Sequence, residues 1–143
     1  MLDKIDAVGS NQTTLFELLG GENGGAEKIV QLVDVFYDIM NSNTQAAPIR
    51  ALHPADLTNS REKLSLFLIG WTGGPQHYIE RYGHPRLRQR HMGFNIGEGE
   101  RNQWMFCMIS AMQQLNFDGN LNPKAFTATV RRGRFYAQCL ILK

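Results

Sequence analysis

The chain has 143 residues, a length typical of one domain that buries a single core. Its hydrophobic share of 43% and charged share of 20% are those of an ordinary globular protein, and a formal net charge of +2 gives no general attraction to nucleic acid. Cys107 and Cys139 provide no disulfide framework, which favours a reducing compartment. The N-terminus has no signal-like apolar run, and no stretch reaches the roughly 18 apolar residues of a membrane span. We expect a soluble, cytoplasmic domain without nucleic-acid or membrane partners.

Residues 1–13 are predicted to be a loose lead-in, and the helices begin after them. Thr14 and Glu17 have the spacing of a capping box, in which the two residues satisfy each other's exposed backbone donors. The helix that they start is short, because the Gly20-Gly21 pair ends it. A longer helix is predicted from about Ala26 to Met40, since apolar residues recur there at helical spacing, with Val30 and Tyr37 alongside them: Ile29, Val33, Phe36 and Met40.

Two adjacent aromatic residues on this helix have different expected roles. Phe36 lies on the apolar stripe and is predicted to be core. Tyr37 lies at the edge of the stripe, where a ring can be buried while its hydroxyl points into a cavity. The alternative is a tyrosine whose hydroxyl is tethered to a backbone carbonyl.

The next segment is predicted to hold a short helical turn and then a full helix. Pro48 begins the turn, and His53 is expected to be extended because Pro54 follows it. Asp56 or Thr58 caps the helix, which runs to about Trp71. Its predicted apolar stripe contains one small residue, Ser60, which marks either a close helix approach or room for a ligand. The stripe consists of Leu57, Ser60, Leu64, Phe67 and Trp71.

A basic run ending in a histidine follows the Gly73-Gly74-Pro75 stop and a short helix predicted over 76–82. The run extends from His84 to Arg90, and His91 comes directly after it. A neutral imidazole is a good ligand for iron, zinc or copper, and an all-helical chain can place one in an apolar cavity as a haem ligand. The alternative is a short cationic helix with a surface histidine.

The last clearly legible helix is predicted from Glu98 to about Leu115, with its acidic residues in the positive first turn. Trp104 is its large apolar anchor, and the indole N–H needs a partner if it is buried. Cys107 is interpreted as a small core residue rather than a reactive thiol. Pro123 could begin a final helix, although Gly133 and neighbouring arginines weaken that pattern. Strand alternation, phosphate loops and paired-cysteine metal motifs do not occur, so an all-α fold is predicted.

These motifs, taken in order, resemble those of the group II truncated haemoglobins across residues 14–115. The run from His84 to His91, followed by a helical tryptophan, is the most specific part of the resemblance. The motifs are Leu19-Gly20-Gly21, Phe36-Tyr37-Asp38, Leu52-His53-Pro54-Ala55-Asp56-Leu57, Phe67-Leu68, Gly73-Gly74-Pro75, Tyr82-Gly83-His84-Pro85-Arg86-Leu87-Arg88, Arg90-His91, Phe94 and Arg101-Asn102-Gln103-Trp104.

The resemblance implies a truncated globin domain over residues 14–143, a two-over-two helical sandwich around haem b, with an atypical last helix from about residue 123. It implies His91 as the proximal iron ligand. The distal residues that it implies around the bound gas are Tyr37, Trp104, His53, Ser60 and Leu64. The haem pocket that it implies is lined by Phe36, Lys63, Phe67, Arg90, Phe94, Ile96 and Met108. Lys63 and Arg90 would meet the haem propionates, or else be plain surface charges.

Two classes of function are compatible with this resemblance. The first is a binding protein for dioxygen and other diatomic ligands, in which Tyr37 and Trp104 donate hydrogen bonds to the ligand and His53 supplies or relays a third. The second is a redox enzyme, peroxidase-like or nitric oxide dioxygenase-like, with an external reductase. Carbon monoxide, nitric oxide and peroxide are further expected ligands, and the chain is expected to be a monomer or homodimer. A zinc site at His53, His84 and His91 is a third interpretation, but their spacing matches no standard zinc pattern.

Overall fold

The computed structural model describes residues 14–83 and 98–116, and this part of the chain contains helices and no strand. The helices are α1 (Leu15–Leu18), α2 (Gly25–Ser42), α3 (Ala47–Ala51), α4 (Thr58–Trp71), α5 (His77–Tyr82) and α6 (Glu98–Gln114), with a 3-10 turn at Thr44–Ala46. The all-helical prediction is confirmed for these residues. The lead-in at 1–13, the basic run from His84 and the final helix from Pro123 lie outside the described residues.

The predicted capping box begins α1. The Thr14 hydroxyl accepts from the Glu17 backbone N–H at 3.1 Å, and the Thr14 N–H donates to the Glu17 carboxylate at 3.2 Å. Gly20 then turns the chain with φ of 127°, a left-handed conformation that favours glycine. A Cβ on Gly20 would lie 3.0 Å from the Asn23 carbonyl oxygen, so the turn is also too tight for a side chain.

Helix α2 is the central element, because it packs against both α4 and α6. It begins one residue earlier and ends two residues later than the sequence predicts. Its predicted apolar stripe is confirmed, although Val30, expected alongside the stripe, is 42% exposed. The side chains on its core face are buried: Ile29, Leu32, Val33, Phe36, Tyr37 and Met40. The aromatic pair that begins the candidate site therefore lies in the middle of the core.

The N-cap residue of α4 is Leu57, which makes no side-chain cap hydrogen bond, so the prediction of Asp56 or Thr58 at that position is wrong; Asp56 instead binds Thr58, the first residue of the helix. One carboxylate oxygen of Asp56 accepts from the Thr58 N–H at 2.9 Å and from the Thr58 hydroxyl at 2.7 Å. The backbone hydrogen bond from Thr58, followed by its hydroxyl, lowers the pKa of Asp56 below the ordinary value of 3.8. These hydrogen bonds favour the charged Asp56 carboxylate next to the positive end of the helix.

The predicted stripe of α4 is correct in its first half and wrong in its second half. Ser60 and Leu64 are buried as predicted, but Leu68 is buried where the prediction had Phe67 and Trp71, which are only half-buried. Phe67 is half-buried because it packs against α5 at the edge of the core and does not point into its centre. The Phe67 ring meets that of Tyr78 edge-on, with 5.5 Å between the ring centroids.

Arg61 ties α4 to α2 at the surface. Its guanidinium donates to the Asp38 carboxylate at 2.8 Å and to the Asp34 carboxylate at 3.3 Å. Burial alone would lower the pKa of Arg61, but the hydrogen bonds and charges of the two aspartates outweigh it and raise the pKa. The guanidinium carbon also lies 5.8 Å from the centroid of the Tyr37 ring, so Arg61 contacts a residue of the candidate site.

Candidate functional site

Four aromatic rings from α2, α6 and the segment after α3 form one continuous group, which we call the polar-aromatic cluster. The cluster consists of Phe36, Tyr37, His53 and Trp104. The Phe36 ring centroid lies 4.9 Å from that of Tyr37 and 4.9 Å from that of Trp104. The Tyr37 and His53 rings meet edge-on at 5.7 Å. The fold therefore brings together the three predicted distal residues Tyr37, His53 and Trp104, with Phe36 as their connector.

The cluster is almost completely removed from solvent. Tyr37 is 1% exposed, Trp104 0% and His53 7%, and the Trp104 Nε1 and His53 Nε2 atoms are themselves buried. Burying a phenol, an indole N–H and an imidazole together is costly unless their polar atoms are satisfied. Such a concentration of hydrogen-bonding side chains inside an apolar core is typical of a binding site.

The hydrogen bond from His53 defines which of its ring nitrogens carries the proton. The Nδ1 atom lies 3.0 Å from the backbone carbonyl oxygen of Ile49. A carbonyl only accepts, so Nδ1 donates, and the neutral ring has its lone pair on the buried Nε2. The neutral His53 ring therefore offers an acceptor at Nε2. This refines the expectation that His53 supplies a third donor to a ligand.

The chain around His53 is held by residues that the sequence did not single out. Arg50 donates to the carbonyls of Pro54 and Ala55, each at 2.9 Å, and to the Asn41 side chain at 2.9 Å. The Gln103 side chain, next to Trp104 on α6, accepts from the backbone N–H of Ile49 at 3.0 Å. The Gln103 contact joins residues 54 positions apart, so it has no periodic signal in the sequence.

The buried hydroxyl of Ser60 tests whether these residues fit haem with a gaseous ligand that can accept a hydrogen bond. The residue is 2% exposed, and its hydroxyl has no hydrogen-bond partner among residues 14–83 and 98–116. An unsatisfied buried hydroxyl costs about 1–3 kcal/mol, and a ligand that hydrogen bonds to it removes that cost. Leu64 and Met108, both 0% exposed, contribute apolar surface to the same core. The chemistry of the residues present therefore fits the implied pocket.

A second group of rings lies between α4 and α5, and we call it the cation-aromatic cluster. It consists of Phe67, Tyr78, Tyr82, Lys63 and Arg81. The Lys63 ammonium lies 5.2 Å and the Arg81 guanidinium carbon 5.9 Å from the centroid of the Tyr82 ring. The predicted pocket residues Lys63 and Phe67 belong to this half-exposed group and not to the polar-aromatic cluster. Arg81 also pairs with Glu62 at 3.1 Å.

Other predicted site residues fall outside the described ranges. These are the proximal ligand His91 and the pocket residues Arg90, Phe94 and Ile96. The zinc interpretation also depends on residues outside the described ranges, since His84 and His91 lie there. Within 14–83 and 98–116, no group of three or more His, Cys, Asp or Glu residues could hold a metal ion.

Cys107 behaves as the small core residue that the sequence indicates. It is 0% exposed, and burial raises the pKa of its thiol to about 11, which keeps the thiol protonated at neutral pH. In the same described segments, no helix combines the length and the apolar character that crossing a membrane requires.

Comparison with known proteins assigns the class to which this fold and site belong. A model of the bacterial-like globin family matches residues 14–138, so the chain belongs to the bacterial-like globins. A group 2 truncated haemoglobin of Bacillus subtilis is 38% identical over 102 residues, which cover 71% of this chain and 75% of that protein. The predicted resemblance to the group II truncated haemoglobins is thereby confirmed, and membership of a globin family implies that the chain binds haem.

Solved structures confirm the predicted all-α, two-over-two architecture. A group II 2-on-2 haemoglobin from Agrobacterium tumefaciens is 37% identical, with a TM-score of 0.76, and the match covers 92% of this chain and 98% of that one. An oxygen-avid truncated haemoglobin from Bacillus subtilis is 33% identical, with a TM-score of 0.69, and the match covers 90% of this chain and 98% of that one.

Proposed function

We propose that this globin holds haem b through His91 and binds dioxygen, as well as carbon monoxide and nitric oxide, against the polar-aromatic cluster. The observation that carries the proposal is the continuity of that cluster: one buried connector, Phe36, touches both the Tyr37 and the Trp104 rings, and Tyr37 touches His53. The similar Bacillus subtilis structure is that of an oxygen-avid haemoglobin, which supports the same ligand.

Each member of the cluster has a defined hydrogen-bonding capacity toward such a ligand. The haem, when bound, supplies an iron at which a diatomic gas binds reversibly. The Tyr37 hydroxyl and the Trp104 indole N–H are donors. The His53 Nε2 is an acceptor, so it can orient a hydroxyl that in turn donates to the ligand. The buried Ser60 hydroxyl is a further weak donor.

The remaining residues would hold the haem and exclude water. His91 would be the proximal ligand, since iron binds a neutral imidazole and a free imidazole, with a pKa of about 6.5, is largely neutral at pH 7. Phe36 and Met108, both 0% exposed, would form apolar walls together with Leu64, Phe67, Phe94 and Ile96. Lys63 and Arg90 would meet the propionates as cationic partners. Apolar walls keep water from the ligand and so slow its oxidative loss.

The test is the rate of oxygen release, measured by stopped flow on wild type, Tyr37→Phe and Tyr78→Phe. A hydrogen bond to a charged acceptor contributes about 1–3 kcal/mol, so Tyr37→Phe should release oxygen roughly tenfold faster or more. Tyr78 is the matched control, because it is also a buried tyrosine, 2% exposed, but belongs to the cation-aromatic cluster. Equal rates for wild type and Tyr37→Phe would contradict the proposal.

A redox enzyme on the same scaffold is the second candidate function, and the protonation of His53 favours it specifically. A ring with its proton on Nδ1 and its lone pair on Nε2 can accept a proton from peroxide at Nε2. Turnover would need an external electron donor, for example a reductase. Rapid peroxide turnover that His53→Gln reduces, combined with a weak oxygen complex, would place this function first. A cytoplasmic location and a monomeric or homodimeric state stay predictions.

A further inference from the structure

The short helix α3 has no N-terminal cap of its own. Its N-cap position is Ala46, whose side chain cannot accept a hydrogen bond, and Pro48 in the first turn has no backbone N–H. The Ile49 N–H is therefore a first-turn donor for which the local sequence supplies no side-chain acceptor. Because Ile49 is 0% exposed, water does not readily replace one.

Gln103 supplies the missing acceptor from α6. Its side-chain oxygen accepts from the Ile49 N–H at 3.0 Å, although the two residues lie 54 positions apart in the chain. Gln103 directly precedes Trp104, so this cap joins the helix that carries the indole to the helix that precedes His53. The half-buried side chain of Gln103 is not a member of the polar-aromatic cluster.

The other end of α3 is closed by His53 itself. The Ile49 carbonyl accepts from the Leu52 backbone N–H at 3.1 Å and from the His53 ring at Nδ1, 3.0 Å away. Ile49 thus has its N–H bound to Gln103 and its carbonyl bound to the His53 ring. A shift of this one residue changes both contacts together.

We propose that Gln103 is a positioning residue that, by capping α3 at Ile49, fixes the His53 ring in its Nδ1-protonated form against Tyr37. The proposal deepens the ligand-binding function and rests on it for the consequence at the ligand, but not for the state of the ring. Gln103 acts through Ile49, since its side-chain oxygen binds the Ile49 N–H and makes no hydrogen bond to the His53 ring. Arg50 has a separate role, because it binds the backbone carbonyls of Pro54 and Ala55 and not the ring acceptor.

The direct test is nitrogen-15 NMR of the His53 ring in the haem-loaded, carbon monoxide-bound protein. His53→Phe identifies the signal. We expect wild type to show a protected proton on Nδ1 and an unprotonated Nε2. Gln103→Leu removes the acceptor and should make the Nδ1 proton exchange with water about tenfold faster, because the first turn of α3 opens more often. Gln103→Glu keeps an acceptor and should restore wild-type protection.

The matched control is Asn102→Ala, which changes the exposed neighbour of Gln103 on the same helix. It should leave the His53 signals unchanged. If Gln103→Leu does not yield folded protein, Gln103→Ala carries the same test, since it also lacks the acceptor. Unchanged protection in a folded acceptor-lacking variant would overturn the proposal, and so would loss of protection in Gln103→Glu.

A double-variant cycle separates this inference from the proposed ligand function. If Gln103 acts through His53, Gln103→Leu should speed oxygen release severalfold in wild type and have no further effect in His53→Phe. Equal effects in both backgrounds would show that Gln103 acts by another route and would overturn the inference. If His53→Phe releases oxygen at the wild-type rate, the proposed role of His53 at the ligand fails, and the NMR result still decides the role of Gln103.

Discussion

Aromatic side chains form two groups in the described residues, and their surroundings differ in almost every respect. The polar-aromatic cluster lies between α2, α6 and the segment after α3, where Tyr37 and Trp104 are at most 1% exposed. The cation-aromatic cluster lies between α4 and α5, where Lys63 and Arg81 approach the Tyr82 ring. The first has hydrogen-bonding atoms with no access to water, whereas the second has charges that keep such access.

Under the proposed function, the difference predicts which aromatic residues affect ligand release. A buried donor is worth more than an exposed one, because water does not compete for it and its geometry is held by packing. An exposed cation over a ring contributes less and tolerates movement. We therefore expect substitutions in the polar-aromatic cluster to change stability and ligand release strongly. In the cation-aromatic cluster, substitutions outside the proposed haem-pocket residues Lys63 and Phe67 should change ligand release little.

The largest expected effect is that of Phe36→Ala, which removes the connector of the polar-aromatic cluster. Phe36 is 0% exposed, so the free energy of unfolding should fall by about 3–5 kcal/mol, as measured by urea denaturation. Phe67→Ala is the matched control from the other cluster. Because Phe67 is half-buried, Phe67→Ala should lower the free energy of unfolding by only about 1 kcal/mol. Equal losses would remove the distinction between the two clusters.

Trp104→Phe should affect ligand release more than stability. The substitution keeps an aromatic ring beside Phe36 but removes the buried indole N–H. Loss of one charge-assisted hydrogen bond corresponds to roughly tenfold faster oxygen release, as measured by stopped flow. Trp71→Phe is the control, since Trp71 lies half-buried at the end of α4. An unchanged release rate in Trp104→Phe would mean that the indole does not donate to the ligand.

Arg61→Gln should lower the free energy of unfolding by about 1 kcal/mol at low salt, and by less as salt is added. The Arg61 side chain is 28% exposed, so water screens its pairs with Asp34 and Asp38 only in part. Arg81→Gln is the control. The Arg81 and Glu62 side chains are 55% and 52% exposed, and we expect its unfolding midpoint to match that of wild type. A larger loss of stability in Arg81→Gln than in Arg61→Gln would contradict this prediction.

The smallest expected effect concerns Asp56, which accepts two hydrogen bonds from Thr58 at the start of α4. Hydrogen bonding to Thr58 lowers the pKa of Asp56 below 3.8, so the charged carboxylate favours the folded state above that pH. Asp56→Ala should have a lower Tm than wild type at pH 7. The difference should shrink as the pH falls from 3.8 through the lower pKa of the folded protein, because only below that pKa is the carboxylate protonated in both folded and unfolded protein. Asn59→Ala should show no such pH dependence.

Local features of the fold could be predicted from the sequence because neighbouring residues determine them. The Thr14–Glu17 capping box and the core stripe of α2 depend on spacing alone, and both are present. The burial of Phe67 could not be predicted in the same way. It depends on where α5 lies, and periodicity along α4 contains no information on that helix.

The site was predictable to a similar extent. The family resemblance named Tyr37, His53 and Trp104 together, and the fold joins them into one cluster. The sequence indicates Gln103 only as part of a family motif, since its contact with Ile49 is a long-range hydrogen bond. One signal was available: Ala46 and Pro48 leave α3 without a local cap, which indicates that an acceptor must come from elsewhere.

The most direct test of the account is visible absorption of the purified protein after haem is added. We predict a strong Soret band for wild type, and a band that is shifted or lost in His91→Ala. A control variant of the exposed His77, His77→Ala, should keep the wild-type spectrum. A protein that stays colourless with haem present would contradict the account, and so would a spectrum that His91→Ala leaves unchanged.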